Sequence, residues 1–251
     1  MLDQKKVFET LEENSVNFYV GVPDSYLNDF CNYALAKFPG QTVIAANEGN
    51  AVGIAAGHYF ATKEIPLVYM QNSGEGNAIN PLASLADKDV YAVPMLLLIG
   101  WRGQDNTEPN HPQHNLQGKI TPKLLEVMHI PYSVLTDSDE EFKSTVEKAV
   151  KYCTETRQPY GLIAPKGIMA DSVKPNSVDE TYPMSREEAI EVILDCMPSD
   201  TVYCATTGRT TRELFFLREK RKETKVHDFL NVGSMGHASS VAFGIALERL
   251  E

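Results

Sequence analysis

The chain has 251 residues, of which 43% are hydrophobic and 23% charged, and its formal net charge at pH 7 is −11. This length and apolar content allow one large or two modest domains. The excess of acidic residues argues against nonspecific nucleic-acid binding. It still permits a small anionic ligand that is held by a few local cations. Because no segment approaches the roughly 18 consecutive apolar residues of a membrane helix and the amino terminus has the pattern of an amphipathic helix instead of a secretory signal, we expect a cytoplasmic protein without a membrane partner.

Helical and strand patterns alternate over residues 1–169. Helices are predicted at 3–14, at 25–37 and from residue 48, and strands at 18–22, 42–46, 66–70, 94–99, 132–135 and 160–164. This alternation predicts an α/β fold, with a doubly wound parallel sheet and helices on both faces. Ligands of such sheets bind at the carboxyl ends of the strands.

Residues 170–183 lack apolar periodicity and contain two prolines, so we interpret them as a linker. A second α/β unit is predicted at 184–251. It comprises a helix capped at Ser185 with Glu188 in the capping-box position, strands at 201–205 and 228–232, a helix from about Thr211 and a last helix rich in small residues. Two parallel strands leave unpaired edges, so we expect this second domain to be incomplete.

Two other features have simple structural interpretations. The four cysteines have no metal-ligand spacing and are predicted to be reduced, buried thiols; they are Cys31, Cys153, Cys196 and Cys204. The charged run at 218–225 is predicted to be a solvated helix end.

Polar side chains follow several of the predicted strands and are expected at one edge of the sheet. They include the acids Asp24 and Glu48, the amides Asn72 and Asn77, the cation Arg102 and the imidazoles His111 and His114. Glu48 is the most informative of these, because it follows an apolar strand and opens a helix of small residues.

Structural roles compete with each functional interpretation. Asp24 is suited to cap the next helix. Gly49, Gly53 and Gly57 share one helical face, which favours close helix packing. Residues 74–77 (Gly-Glu-Gly-Asn) favour an ordinary strand-end turn. The two histidines of the 106–114 loop have no third ligand nearby, which favours proton transfer over metal binding.

Five segments together resemble the phosphonopyruvate decarboxylase family of thiamine diphosphate enzymes. They are 21–25 (Gly-Val-Pro-Asp-Ser), the Asn-Glu-Gly-Asn turn at 47–53, 71–81, 112–114 (Pro-Gln-His) and 232–239, which contains Gly-Ser-Met-Gly. The resemblance implies a thiamine diphosphate-binding fold, with a pyrimidine-binding domain at 1–169 and the start of a diphosphate-binding domain at 184–251.

The resemblance also implies catalytic roles. Glu48 is similar to the glutamate whose carboxyl, kept neutral in an apolar site, hydrogen-bonds the aminopyrimidine ring and favours its imino tautomer. Asp24 and His114 match the acid and the imidazole that serve the protonation step. For the substrate we expect Ser25, Arg102 and His111, with Arg102 binding its anionic group because of the position of this residue at the sheet edge.

The expected cofactor is thiamine diphosphate with Mg²⁺. On the pyrimidine side, the implied cofactor-binding residues are Glu48, Asn72, Ser73, Gly74 and Asn77. On the diphosphate side they are Thr207, Gly208, Gly233, Ser234 and Met235. Met235 resembles the apolar wedge that keeps the cofactor bent, and a core methionine is its structural alternative.

The metal ligands of the family are a Gly-Asp-Gly sequence and a downstream asparagine, and neither follows within the 251 residues. We therefore expect no metal site within this chain, metal ligands beyond residue 251, and little activity of the chain alone. A shortened chain, an incompletely recorded sequence and a subunit that relies on a separate polypeptide all remain open; we favour a shortened chain.

The resemblance implies decarboxylation of the 2-oxo acid 3-phosphonopyruvate to phosphonoacetaldehyde and carbon dioxide. The alternatives are a sulfopyruvate decarboxylase or its pyrimidine-binding subunit, and a non-catalytic thiamine-binding or assembly module. Sites of this family form between chains, so a homodimer or a higher homo-oligomer is expected.

Overall fold

The computed structural model describes residues 1–104, 112–170 and 181–248. The chain divides into two compact units, residues 1–175 and 176–251. His111 and most of the predicted linker lie outside the described residues.

The described part of the first unit contains six strands and six helices. The strands are β1 (Tyr19–Gly21), β2 (Thr42–Ile44), β3 (Leu67–Gln71), β4 (Leu96–Gly100), β5 (Tyr132–Val134) and β6 (Tyr160–Ala164). The helices are α1 (Gln4–Glu13), α2 (Asn28–Lys37), α3 (Glu48–Thr62), α4 (Glu75–Pro81), α5 (Gln113–Val127) and α6 (Asp139–Thr156).

The six strands form one sheet with the order β2-β1-β3-β4-β6-β5, and every pair is parallel. Side chains of the central strands alternate between two apolar clusters, as the two-residue period of a strand requires. Leu96 and Leu98 enter the cluster that includes residues of α1, α2 and α6. Leu97 and Ile99 enter the cluster that includes residues of α3, α4 and α5. The predicted doubly wound parallel sheet, with helices on both faces, is confirmed.

The segment at 74–77 is not the simple turn that its glycines predicted. Residues Asn72–Gly74 form a turn of 3₁₀-helix that continues into α4, and Leu82–Ala86 adds a π-helical turn. The prediction of close packing for the glycine face of α3 was also wrong in part. A Cβ on Gly49 would lie 2.8 Å from the Asn77 backbone oxygen, whereas Gly53 and Gly57 face open space.

The second unit has a small parallel sheet of β7 (Tyr203–Ala205) and β8 (Asp228–Leu230) in its described residues. Its helices there are α7 (Arg186–Cys196), α8 (Arg209–Arg221) and α9 (Ala238–Glu248). The predicted capping box at Ser185 and Glu188 is confirmed.

The prediction of a solvated helix end at 218–225 was wrong for Arg218. This side chain is only 9% exposed, and it forms ion pairs with Glu223 at 2.6 Å and with Asp228 at 3.0 Å. Asp228 lies on β8, so the guanidinium connects the end of α8 to the sheet. A charged run thus places one cation inside the unit, where it is paired.

All four cysteines are free thiols, but they differ in burial. Cys31 and Cys153 are buried, as predicted, and burial raises the pKa of each thiol to about 12. Cys196 is exposed and Cys204 is half-buried, so for these two the prediction of burial was wrong. Within the described residues, no helix combines the length and the apolar character needed to cross a membrane.

We expect Gly21→Ala to destabilise the first unit by at least about 2 kcal/mol, because overpacking in a filled core has that order of cost. An added Cβ would collide with the backbone oxygen and the ring of Tyr69 on β3. Trp101 is the only tryptophan of the chain, so its fluorescence during urea unfolding reports on this unit.

The matched control is Gly53→Ala on the exposed face of α3, where nothing lies within 4 Å of the new methyl group. Because alanine favours a helix over glycine, this change should raise stability by about 0.5–1 kcal/mol. Equal urea midpoints for the two variants would contradict the proposed contact at Gly21.

Candidate active site

The order of the strands places a topological switch point at the carboxyl ends of β1 and β3. These strands are neighbours, but the helix after β1 (α2) packs in one apolar cluster and the helix after β3 (α4) packs in the other. The chain therefore leaves the two strand ends towards opposite faces of the sheet. Ligands of open α/β sheets bind at such a switch point.

Glu48 is the first residue of α3 and is only 2% exposed. The preceding Asn47 caps the helix, since its side chain accepts a hydrogen bond from the Asn50 backbone N–H at 2.9 Å. The Glu48 carboxylate accepts a hydrogen bond on Oε2 from Nδ2 of Asn77, at 2.8 Å. Within the described residues, no group donates to Oε1 of Glu48.

Close approach of α4 to α3 creates this arrangement. A Cβ on Gly74 would collide with the Glu48 carboxyl group, and a Cβ on Gly49 would lie 2.8 Å from the backbone oxygen of Asn77. Only glycine leaves the required space at these two positions. The two helices therefore bring Glu48, Gly74 and Asn77 together. In the sequence, Glu48 follows one strand, whereas Gly74 and Asn77 follow another.

Asp24 is buried and paired with Arg102. Its Oδ1 accepts hydrogen bonds from Nε and Nη2 of Arg102, both at 3.0 Å, and its Oδ2 accepts from the Tyr26 backbone N–H at 3.1 Å. Burial raises the pKa of Asp24, and the Arg102 guanidinium offsets this only in part. The prediction that Asp24 caps α2 was wrong: the residue before that helix is Leu27, and no side chain caps it.

The guanidinium of Arg102 is held on several sides. Besides Asp24, it donates to the Ser25 hydroxyl through Nη2, and it lies 4.1 Å above the centre of the Tyr26 ring. Such stacking is favourable for a planar cation. Within the described residues, Nη1 of Arg102 has no acceptor, so one edge of the guanidinium remains available to an anion.

Asn72 connects the ends of β3 and β4. Its Nδ2 donates to the backbone oxygen of Arg102 at 2.9 Å and to Oγ1 of Thr121 at 3.0 Å. Its Oδ1 accepts from the Arg102 backbone N–H at 3.2 Å. Both side-chain donors and the carbonyl oxygen therefore have protein partners, which gives Asn72 a structural role at this edge.

Ser73 and His114 also lie at this edge of the sheet. The Ser73 hydroxyl accepts a hydrogen bond from Nε2 of Gln71 at 2.6 Å. His114, in the first turn of α5, is 8% exposed, and its Nδ1 lies 3.4 Å from Oε1 of Gln117. His114 also lowers the pKa of Asp24, by less than Arg102 does.

Sequence reasoning missed Tyr26 and Lys166. Nζ of Lys166 lies 5.8 Å from the centre of the Tyr26 ring, on which Arg102 also stacks. Lys166 follows β6, so it belongs to the same edge. Polar residues that follow parallel strands are expected at the carboxyl edge of the sheet. Applied to the strand at 160–164, this rule would have identified Lys166.

Sequence reasoning also missed Glu75, the first residue of α4. This side chain is 2% exposed, and neither of its oxygens has a hydrogen-bond partner in the described structure. Burial raises its pKa to about 8. The signal was an acidic residue between two glycines directly after an apolar strand.

In the second unit, the predicted diphosphate-contacting residues follow two neighbouring parallel strands. Thr207 and Gly208 follow β7, and Gly208 (φ +94°) precedes the first residue of α8. Residues 233–235 (Gly-Ser-Met) follow β8, where Ser234 has a positive φ of 48°. Met235 is half-buried. The carboxyl edge of this small sheet therefore collects all five predicted residues of the unit.

Comparison with known proteins gives these positions a context. Residues 4–123 match the thiamine pyrophosphate enzyme family, N-terminal TPP binding domain. The chain is 30% identical to phosphonopyruvate decarboxylase of Streptomyces viridochromogenes, in an alignment that covers 92% of this chain and 60% of that protein. It is 34% identical to sulfopyruvate decarboxylase subunit alpha of Methanococcus maripaludis, over 55% of this chain and 79% of that subunit.

The fold is shared with a decarboxylase of known structure. The crystal structure of benzoylformate decarboxylase from Polynucleobacter necessarius aligns with a TM-score of 0.54 at 20% identity, over 76% of this chain and 36% of that one. This chain spans 60% and 63% of the length of two phosphonopyruvate decarboxylases that it matches. With 79% of a subunit covered at 34% identity, the chain belongs to the family of thiamine diphosphate-dependent decarboxylases that contains the phosphonopyruvate and sulfopyruvate enzymes.

Proposed function

We propose that the chain contributes the pyrimidine-binding side of a thiamine diphosphate site that decarboxylates a small anionic 2-oxo acid, with 3-phosphonopyruvate as the substrate. The observation that carries the proposal is the buried carboxyl of Glu48 at the start of α3. One of its oxygens is held by Asn77, and the other receives no hydrogen bond from the described residues.

The residues around Glu48 fit an aminopyrimidine ring. Gly74 allows the Glu48 carboxyl to pack against its backbone, because a Cβ there would collide with this carboxyl, and Gly76 faces open space. A carboxyl oxygen without a protein partner is suited to a ring nitrogen, with which it can share a proton. Glu48, Gly74 and Asn77 would hold this half of the cofactor.

When bound, thiamine diphosphate supplies the electron sink for the pair of electrons that the departing carbon dioxide leaves behind. The task of Glu48 is to share a proton with the ring nitrogen, so that the ring gains the basicity that the reaction requires. Asn77 orients the carboxyl through Oε2, which directs Oε1 towards the ligand. In this proposal Asn77 does not contact the reacting atoms but positions the carboxyl of Glu48. Asn72 likewise positions the backbone of Arg102.

Asp24 and His114 are proposed to deliver the proton that replaces the lost carboxylate. A raised pKa keeps a larger fraction of Asp24 in its acid form than in a solvated aspartate, so this group can act as a proton donor. Ser25 and Arg102, with His111 from outside the described residues, are proposed to bind the substrate.

The remaining parts of the site are proposed to come from another chain, whose second domain would supply them. Thr207, Gly208, Gly233, Ser234 and Met235 are the candidates for the diphosphate side. Within the described residues, no cluster of three or more His, Cys, Asp or Glu side chains could hold a metal ion. Magnesium, a homodimeric or larger assembly and phosphonate biosynthesis are therefore parts of the proposal that rest on the family.

Sulfopyruvate is the second candidate substrate, because the chain also matches a sulfopyruvate decarboxylase subunit at 34% identity. The two substrates differ in the charge of one group, a phosphonate dianion against a sulfonate monoanion. Arg102, stacked on Tyr26 and bound to Asp24, is the cation through which we expect the site to distinguish them.

The first test is Glu48→Gln in the holoenzyme that contains this chain. The amide keeps the shape and a hydrogen bond to the ring, but it cannot exchange a proton. We expect cofactor affinity within about tenfold of the wild type and turnover lower by about 10²–10⁴-fold, the usual range for loss of acid–base catalysis. Trp101 fluorescence during thiamine diphosphate titration measures affinity, and release of phosphonoacetaldehyde measures turnover.

Glu147→Gln, on the exposed side of α6, is the matched control and should change neither quantity. Wild-type turnover in the Glu48→Gln variant would overturn the role of Glu48. A wild-type chain that decarboxylates neither 3-phosphonopyruvate nor sulfopyruvate in the holoenzyme would overturn the proposed activity.

The second test compares Arg102→Lys with Arg102→Ala. Lysine keeps the charge but cannot maintain the two-donor contact with Asp24 and the stacking on Tyr26. We expect KM for 3-phosphonopyruvate to rise by about tenfold in Arg102→Lys and by more in Arg102→Ala, with a smaller rise for sulfopyruvate because its group carries less charge. Unchanged KM and kcat in Arg102→Ala would contradict this role.

A further inference from the structure

Glu75 is a buried acid that the proposed reaction does not use. It lies at the start of α4 with 2% of its surface exposed. Both carboxyl oxygens are enclosed, and neither has a hydrogen-bond partner in the part of the chain that the structure describes. A charged carboxylate without donors is very unfavourable in such a place, so the geometry itself favours the protonated form.

The nearby polar side chain is Thr121 on α5, which lowers the pKa of Glu75 but forms no hydrogen bond with it in the structure. This hydroxyl donates its single proton to the Gln117 backbone oxygen at 2.8 Å, and it accepts a hydrogen bond from Nδ2 of Asn72 at 3.0 Å. A threonine hydroxyl has one donor and two acceptor positions. Thr121 can therefore accept one more hydrogen bond, but it can donate to a Glu75 carboxylate only by releasing Gln117.

We propose that Glu75 is held as a neutral carboxylic acid beside Thr121, and that loss of its proton loosens the Asn72–Thr121 contact that orders the Arg102 segment. A neutral Glu75 needs no proton from Thr121, so this hydroxyl keeps its bonds to Gln117 and Asn72. An ionised Glu75 offers only acceptors to a hydroxyl whose proton is already used. Thr121 then turns towards the carboxylate, and its bonds to Gln117 and Asn72 weaken.

The connection to Arg102 follows from the amide of Asn72. The same Nδ2 that binds Thr121 also donates to the backbone oxygen of Arg102, and Oδ1 accepts from the Arg102 backbone N–H. Glu75, Thr121, Asn72 and the Arg102 backbone thus form one chain of contacts. The protonation state at one end sets the hydrogen bonding at the other.

The electrostatic surroundings agree with this assignment. Burial raises the pKa of Glu75 to about 8, and the Thr121 hydroxyl acts weakly in the opposite direction. The charged or titratable groups on the neighbouring elements are Glu48, His58 and Tyr59 on α3, Arg102 after β4, and His114, Lys119, Lys123 and Glu126 on α5. None of them contributes to the shift in the pKa of Glu75, so among the described residues no cation compensates an ionised carboxyl.

The consequence is a site edge that is ordered below about pH 8 and loosens above it. The folded state holds the proton of Glu75 up to about pH 8, whereas an unfolded chain releases it near pH 4.3. Between these values the folded state binds more protons, so stability falls as pH rises through this window. We expect the melting temperature of the wild type to fall between pH 6 and pH 9 by several degrees more than that of Glu75→Gln.

The decisive experiment is an NMR titration of the chain from pH 5 to pH 9.5 with ¹³C-labelled glutamate carboxyls and ¹⁵N-labelled amides. The Glu75 signal is identified by its absence in Glu75→Gln. We expect its midpoint near pH 8, and we expect the Asn72 side-chain amide and the Arg102 backbone amide to shift with the same midpoint. In Glu75→Gln these two amides should lose that transition, because the amide side chain cannot ionise.

Glu147→Gln is again the control, and it should leave the transition of both amides intact. A wild-type chain without any glutamate carboxyl that titrates above about pH 6 would overturn the proposal, and that result needs no variant. So would persistence of the Asn72 and Arg102 transitions in Glu75→Gln. The titration needs neither cofactor nor substrate, so this inference and the proposed decarboxylation can fail separately.

Discussion

The candidate site depends on the close approach of α4 to α3. Glycines at positions 49 and 74 leave no Cβ between the two helices, and this allows Asn77 to reach Oε2 of Glu48 at 2.8 Å. A buried carboxyl with one oxygen fixed by an amide has a defined direction for its other oxygen. In the proposed site, the helix contact therefore determines where a ring nitrogen would meet Glu48.

A second constraint joins the ends of three adjacent strands. Asn72 follows β3 and binds both backbone groups of Arg102, which follows β4. The side chain of Arg102 then binds Asp24, which follows β1. In the sheet, β1 lies next to β3 and β3 lies next to β4. The polar contacts therefore connect the loops after these three strands, and the order of the loops along the chain does not reveal which side chains will pair. The edge of the sheet is thus held together by Asn72, Asp24 and Arg102, of which Arg102 is also proposed to bind the substrate.

Much of this fold could be predicted, because the patterns that specify strands and helices are local. Apolar runs of strand length alternate with helical periodicity through the first unit, and their number and parallel order follow from that alternation. Placing Glu48, Asp24 and Arg102 at one edge required only the rule that parallel strands end on the same side. What the pattern could not supply was the partner of each polar group. Asp24 was expected to cap the next helix, but it binds a cation 78 residues away, and Arg218 was expected in solvent, but it is paired and buried.

These failures share a physical cause. A cap or a solvated position depends on neighbours in sequence, whereas an ion pair inside the protein depends on which loops the sheet brings together. The free energy of burying a charge is large enough for a distant partner to prevail over a local one. The glycines of α3 were expected to share one close helix contact, and this local pattern also misled. Gly49 is needed at a close contact, whereas Gly53, one helical turn later, faces open space.

The three buried carboxyls of the first unit show how the partner sets the charge. Asp24 has a guanidinium, which favours its ionised form against the effect of burial. Glu48 has an amide donor on one oxygen, and Glu75 has no donor among the described residues. If this edge binds an anionic 2-oxo acid as proposed, it cannot also carry several uncompensated carboxylates, since each would repel the substrate in a poorly solvated place. Compensation of Asp24 by Arg102 and the proposed retention of the proton by Glu75 would both meet this electrostatic requirement.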